Sequence, residues 1–97
     1  MSWLKEALES LQKDGTAQIR PVGGSMRGRI ESGQLVTLQT ANYEEVKVND
    51  VVFIHWKGNY LLHLVLDKRE HELLIGNNVG KINGWISSEA VIAKVVD

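Results

Sequence analysis

The stretch from Val51 to Leu66 constrains the fold most. Val51, Val52, Phe53, Ile54, His55 and Trp56 form a β-branched and aromatic run, Lys57-Gly58-Asn59-Tyr60 supplies turn residues, and Leu61 to Leu66 returns as an apolar partner. The pattern predicts a β-hairpin. With a turn centred on Gly58-Asn59, His63 is expected opposite Ile54 and His55 opposite Leu62. Neighbouring pairs point to opposite faces of a sheet, so the two histidines do not converge and no two-histidine zinc site is expected.

The rest of the chain fits around this hairpin. Ser2 can cap a helix whose Leu4, Leu8 and Leu11, with Trp3 and Ala7 beside them, make one apolar stripe. Gly15 is a natural stop. Its polar face mixes both charges, so the helix is expected to pack on its own domain rather than lie on a membrane. Thr16 to Val22 reads as a short strand, with Pro21 suited to a sheet edge. Leu35, Val36 and Leu38 form another strand, followed by a polar loop from Ala41 to Glu45. Glu70-His71-Glu72 is a turn, Leu73 to Gly76 a strand, Asn77 to Gly84 a loop, and Trp85-Ile86 and Ala90 to Val96 are closing β segments. The expected class is mainly β: a small, twisted, mostly antiparallel domain with one N-terminal amphipathic helix. Residues 1–97 are read as one domain, the helix over 1–15 and the β domain over 16–97, because 97 residues support one modest core.

Composition removes several functions. A formal charge of -1 gives no basic footprint for nucleic acid. With no cysteine there is no disulfide framework, thiolate nucleophile or cysteine zinc site. No run approaches the roughly 18 apolar residues of a membrane span. Lys5, Glu6, Glu9, Lys13 and Asp14 interrupt any signal-peptide core, so a cytoplasmic protein is expected.

The chemistry gathers at Pro21-Val22-Gly23-Gly24-Ser25-Met26-Arg27-Gly28-Arg29-Ile30. Two glycines before a serine permit backbone conformations that present the hydroxyl on a sharp turn. A nucleophilic serine needs a base within hydrogen-bond reach. His63, alone among leucines and valine in its strand, is either that base or a satisfied core histidine, and Ser25 is either the nucleophile or the cap of a short helical turn. His71 sits in a charged turn and reads as a surface residue.

In their order along the chain these elements resemble the superfamily of type I signal peptidases and LexA-type self-cleaving repressors. Gly23-Gly24-Ser25-Met26 is similar to its nucleophile motif, with Ile30 and Gly33 in the expected following places. Asn49-Asp50-Val51-Val52-Phe53 looks like the element preceding a central strand, His63 stands at the base position, Gly76-Asn77-Asn78 resembles the Gly-Asp-Asn element, and Ala90 to Val95 looks like the closing strand. The resemblance spans about residues 19 to 96. It implies a serine peptidase-like domain with a Ser25 and His63 dyad, an oxyanion hole built from backbone groups of Ser25 and Gly24, no cofactor or metal, and an extended peptide or protein as substrate. Gly23 stands where some relatives supply a donor side chain.

The sequence departs from the pattern at Gly28 for proline, Gln34 for aspartate, Leu64 for arginine and Asn77 for aspartate. Asn77 bears on activity, because loss of an orienting carboxylate beside a histidine base can cost about 10⁴ in rate. A catalytically inactive peptide-binding module of the same fold is therefore the alternative. A LexA-type regulator is disfavoured, since only a short helix precedes the first strand.

Overall fold

The helix α1 (Ser2–Asp14) ends where glycine allows it: Gly15, at φ +78°, donates its N–H to the Leu11 carbonyl at 2.9 Å. The computed structural model describes residues 2–20, 30–77 and 80–96. Seven strands follow the helix: β1 (Thr16–Ile19), β2 (Val36–Thr40), β3 (Val51–Trp56), β4 (Asn59–Arg69), β5 (Glu72–Gly76), β6 (Ile82–Ser87) and β7 (Val91–Val95). They form one sheet in the order β1-β2-β7-β3-β4-β5-β6, every pairing antiparallel. The chain is mainly β with one N-terminal helix, as its sequence pattern leads one to expect. Among the described residues no helix is long and apolar enough to cross a membrane.

The β3–β4 hairpin forms with a tighter turn than expected. Lys57 and Gly58 have φ +53° and +78°, the signature of a two-residue loop that matches strand twist, so Trp56 pairs with Asn59 and His55 with Tyr60. This corrects the register: His63 lies opposite Val52 rather than Ile54, and His55 opposite Tyr60 rather than Leu62. A slip of two residues leaves every side chain on its original face. His55 and His63 therefore still point to opposite sides of the sheet.

Both faces of the sheet carry a core, and this explains why Val51 to Ile54 are buried without alternation. On one face Ala7 and Leu11 of α1 pack with Ala17, Ile19, Ile30, Val36, Leu38, Val51, Phe53, Leu64 and Ala93, while Leu4 and Leu8 are half-buried against them. On the other, Val52, Ile54, Val65, Leu73, Ile75 and Ile86 are covered by Ala41 and Val46 from the loop after β2. Phe53, Leu38, Ile54, Leu73 and Ile75 are fully buried, each contributing about 1.5–3 kcal/mol of apolar burial. That loop contains a 3₁₀ turn (Tyr43–Glu45) closed by reciprocal Asn42–Glu45 capping. Lys68 reaches under it, donating to the Tyr43 and Val46 carbonyls at 3.0 and 2.7 Å, with its ammonium 4.4 Å from the centre of the Tyr43 ring. Lys94 donates to the Glu45 carbonyl at 3.0 Å.

Further boundaries differ from the sequence reading: β2 begins at Val36, β4 runs on both sides beyond Leu61 to Leu66, and β5 begins at Glu72. β1 ends at Ile19, and Pro21-Val22 lie outside the described residues. Asn83 and Gly84, expected in a loop, belong to β6, because Ile82 pairs with Gly76 and Gly84 with Ile75. The register shifts between those pairs, and Gly84 takes φ +133° there, a conformation in which glycine avoids side-chain strain.

Candidate functional site

His63 stands on β4, which pairs with β3 on one side and β5 on the other. Its chain neighbours are held from both directions. Phe53 pairs with Leu62, and Leu64 pairs with both Val51 and Gly76. The turn before β3 fixes Val65: Asn49 donates to the Val65 carbonyl at 2.8 Å, and Val65 donates to the Asp50 carbonyl at 2.9 Å. Residue types explain that turn. Asn49 has φ +81°, which asparagine tolerates better than most side chains, and an Asp50 carboxylate oxygen accepts the Lys47 N–H at 2.9 Å.

The imidazole is half-buried, and its Nδ1 lies 2.5 Å from the carbonyl oxygen of Leu62. A carbonyl can only accept, so in the neutral ring this contact is a hydrogen bond only in the tautomer with the proton on Nδ1, which leaves the lone pair on Nε2. A ring in that tautomer can take a proton at Nε2. Side-chain alternation puts His63 on the face of Val52, Ile54 and Val65.

Asn77 follows directly after the last β4–β5 pair, Leu64 with Gly76; continuing that register by one step would set it opposite His63. Its backbone N–H donates to the Lys81 carbonyl at 2.9 Å, and its side-chain oxygen accepts the Lys81 N–H at 2.9 Å. The amide oxygen thus closes the Asn77–Lys81 loop. Gly76 is required for close approach: a Cβ there would lie 2.3 Å from the Lys81 carbonyl oxygen and 2.6 Å from Leu66 Cδ1.

Ser25, Gly23, Gly24 and Met26 lie outside the described residues, as do Gly28 and Asn78. The ends of that segment are placed. Ile19 and Ile30 are both buried in the core beneath α1, and an Arg20 guanidinium nitrogen donates to the Gly33 carbonyl at 3.0 Å. Gln34 accepts the Glu31 N–H through its side-chain oxygen at 3.0 Å and keeps the turn containing Gly33 closed. Ile19 and Ile30 pack on the face of the sheet opposite to that of His63.

The other histidines stand apart. His55 is exposed and stacked on Tyr60, with ring centres 4.4 Å apart. His71, at φ +62° in the β4–β5 turn, is exposed with Nε2 3.7 Å from a Glu70 carboxylate oxygen. Among the described residues no three His, Asp or Glu side chains gather as a metal site. Lys68 and Lys94, whose ammonium groups bind loop carbonyls, carry no local signal, because a lysine in a strand reads as solvent-facing. Compared with protein-family models and with curated proteins, the chain matches none.

Proposed function

We propose that this chain is a serine peptidase-like domain of the LexA and signal peptidase type, in which Ser25 and His63 act as nucleophile and base. The observation that carries the reading is the placement of His63: its Nδ1 is turned to the Leu62 carbonyl, which leaves Nε2 as the acceptor in the neutral tautomer that pairs there, on a backbone clamped by strands on both sides. His63 Nε2 takes the Ser25 hydroxyl proton as Oγ attacks a peptide carbonyl, then returns it to the leaving amine. Backbone N–H groups of Ser25 and Gly24 stabilise the oxyanion. No cofactor takes part. The substrate is an extended segment of a cytoplasmic peptide or protein that pairs along β1, the edge strand leading into the Ser25 segment.

A second reading, a peptide-binding module without turnover, has two observations in its favour. Asn77 brings no charge to His63, and Ile19 and Ile30 pack on the face opposite to His63. A dyad requires residues 21–29 to carry Ser25 past the sheet; Ser25 stands five residues before Ile30, so its reach from that anchor is at most about 17 Å. A serine-directed covalent probe separates the readings. A peptidase is labelled at Ser25, loses labelling in Ser25→Ala and is labelled slowly in His63→Ala. Equal labelling of wild type and Ser25→Ala, or none in either, ends the peptidase reading.

A further inference from the structure

The outer side of β1 runs beside the helix α1, and the ladder on its inner side tells which groups look outward. Thr40 donates to the Gly15 carbonyl at 2.8 Å, and bonded and non-bonded pairs alternate along an antiparallel ladder. Ala17–Leu38 and Ile19–Val36 are therefore the bonded pairs, while Thr16 and Gln18 turn their N–H and C=O groups away from β2. The other side of β2 has the same parity: Thr37 accepts from Val96 and Ala41 donates to Ile92. Ser10 Oγ donates to the Thr16 carbonyl at 2.6 Å and fills that position, whereas the main-chain groups of Gln18 have no partner among the described residues.

Between helix and strand lies an open cavity of about 180 Å³, lined by Glu6, Ala7, Ser10, Ala17 and Gln18. A cavity of roughly 150 Å³ takes a benzene-sized group, so there is room here for one side chain. The floor is apolar, formed by the buried Ala7 and Ala17. The lip is acidic. Glu6 is exposed and pairs with no cation among the described residues. Two nearby cations are directed elsewhere: the Arg20 guanidinium is held on the Gly33 carbonyl at 3.0 Å, and Lys13 stands two turns along α1, about 10 Å from Glu6 and toward the end that Ser10 closes.

We infer that the α1–β1 groove selects an extended peptide carrying a lysine or arginine, with that cation set against Glu6. The inference rests on the reading that a peptide pairs along β1, which the peptidase and the binding module share. In an antiparallel pairing the residue opposite Gln18 makes a bonded pair with it through two N–H···O=C bonds. Side chains alternate, so the residue opposite Ala17 points to the α1 face, as Ala17 does, and enters the cavity. The aliphatic stem of a lysine or arginine lies along Ala7 and Ala17 while its charged end reaches the Glu6 carboxylate. An acidic side chain in the same place is repelled. Because Ser10 already occupies the Thr16 carbonyl, the added strand is short and the affinity low.

Fluorescence anisotropy of the full Ser25→Ala chain with three fluorescein-labelled peptides tests this: alternating valine and threonine with a central lysine, norleucine or glutamate. The lysine peptide is expected to bind about two- to fivefold more tightly than the norleucine peptide, with the glutamate peptide weakest. Glu6→Gln should remove that preference, and Glu6→Lys should turn it toward glutamate. Amide spectra should show the Gln18 N–H shifting and exchanging more slowly when the lysine peptide is added. No binding of any of the three up to about 1 mM overturns the inference. So does equal binding of the three, a lysine preference that survives Glu6→Gln, or a spectral change that misses Gln18. Binding is read without the Ser25 hydroxyl, so it is separable from covalent labelling: failure to label Ser25 in wild type with the lysine preference intact removes the peptidase and keeps the groove.

Discussion

Replacing Gly76 by alanine adds one methyl group where there is no room for it. The new Cβ would lie 2.3 Å from the Lys81 carbonyl oxygen, 2.6 Å from Leu66 Cδ1 and 3.3 Å from Ile82 Cα. Leu66 is a side chain and can rotate, whereas the Lys81 carbonyl is backbone and accepts the Asn77 N–H at 2.9 Å. Moving it by the ångström or so that a normal contact needs disrupts that bond and its companion from the Lys81 N–H to Asn77 Oδ1. Overpacking costs about 1–3 kcal/mol and each of the two lost hydrogen bonds about 0.5–1.5 kcal/mol, giving about 2–6 kcal/mol together. For a domain of this size that lowers Tm by about 10–30 °C. Urea unfolding followed by tryptophan fluorescence, with calorimetry for Tm, measures it. Gly80→Ala is the control: it has positive φ but nothing within 4 Å of the added Cβ, so only backbone strain of about 1 kcal/mol is expected. A Gly76→Ala protein within about 0.5 kcal/mol of wild type would refute the close approach and, with it, the placement of Asn77 beside β4.

Lys68→Met keeps the aliphatic stem but leaves the Tyr43 and Val46 carbonyls without the ammonium, and should cost about 1–3 kcal/mol, with faster amide hydrogen exchange at Val46. Gly58→Ala should cost about 1 kcal/mol through its φ of +78°, and Gly58→Asn less, as read by urea midpoints; equal costs would argue against the two-residue turn. Asn77→Asp retains an oxygen to accept the Lys81 N–H and, in the continued β4–β5 register, sets a carboxylate opposite His63, so covalent labelling of Ser25 should accelerate with stability changed by less than about 1 kcal/mol. Labelling no faster than wild type would show that position 77 serves the loop alone.

How far the fold could be read in advance depended on which residues carried local information. Val51 to Ile54 are apolar and mostly β-branched because β3 is covered on both faces there, and that composition identifies the strand without help from its neighbours. The register was harder, since lysine seldom takes positive φ and the sequence favoured Gly58-Asn59 as the centre of the turn, whereas the chain turns at Lys57-Gly58. The first half of β6, before Trp85-Ile86, was hidden for the opposite reason. Asn83 and Gly84 favour a loop locally, and pairing with β5 overrides that preference. The relation between Asn77 and His63 rests on the β4–β5 pairing between residues far apart in sequence, so local patterning could not show it.

Asn49 and Asp50 link these levels. The motif reads locally as a turn before a strand, yet its hydrogen bonds run to Val65, two residues beyond His63. Asp50 closes the turn through Lys47, Asn49 supplies the positive φ that directs its N–H to β4, and β3 then runs alongside with Val52 opposite His63. The position of the imidazole backbone is thus set by three separate pairings: β3, β5 and this turn. Such a site differs from one carried on a loop, because moving His63 would require breaking the central strands of the sheet. The same rigidity constrains the nucleophile. His63 cannot move toward Ser25, so a working dyad depends on residues 21–29 bringing the hydroxyl to a fixed Nε2 from ends anchored at Ile19 and Ile30. Shortening that segment should therefore abolish labelling of Ser25 while leaving both cores and the His63 ring undisturbed, whereas a binding module would retain its peptide.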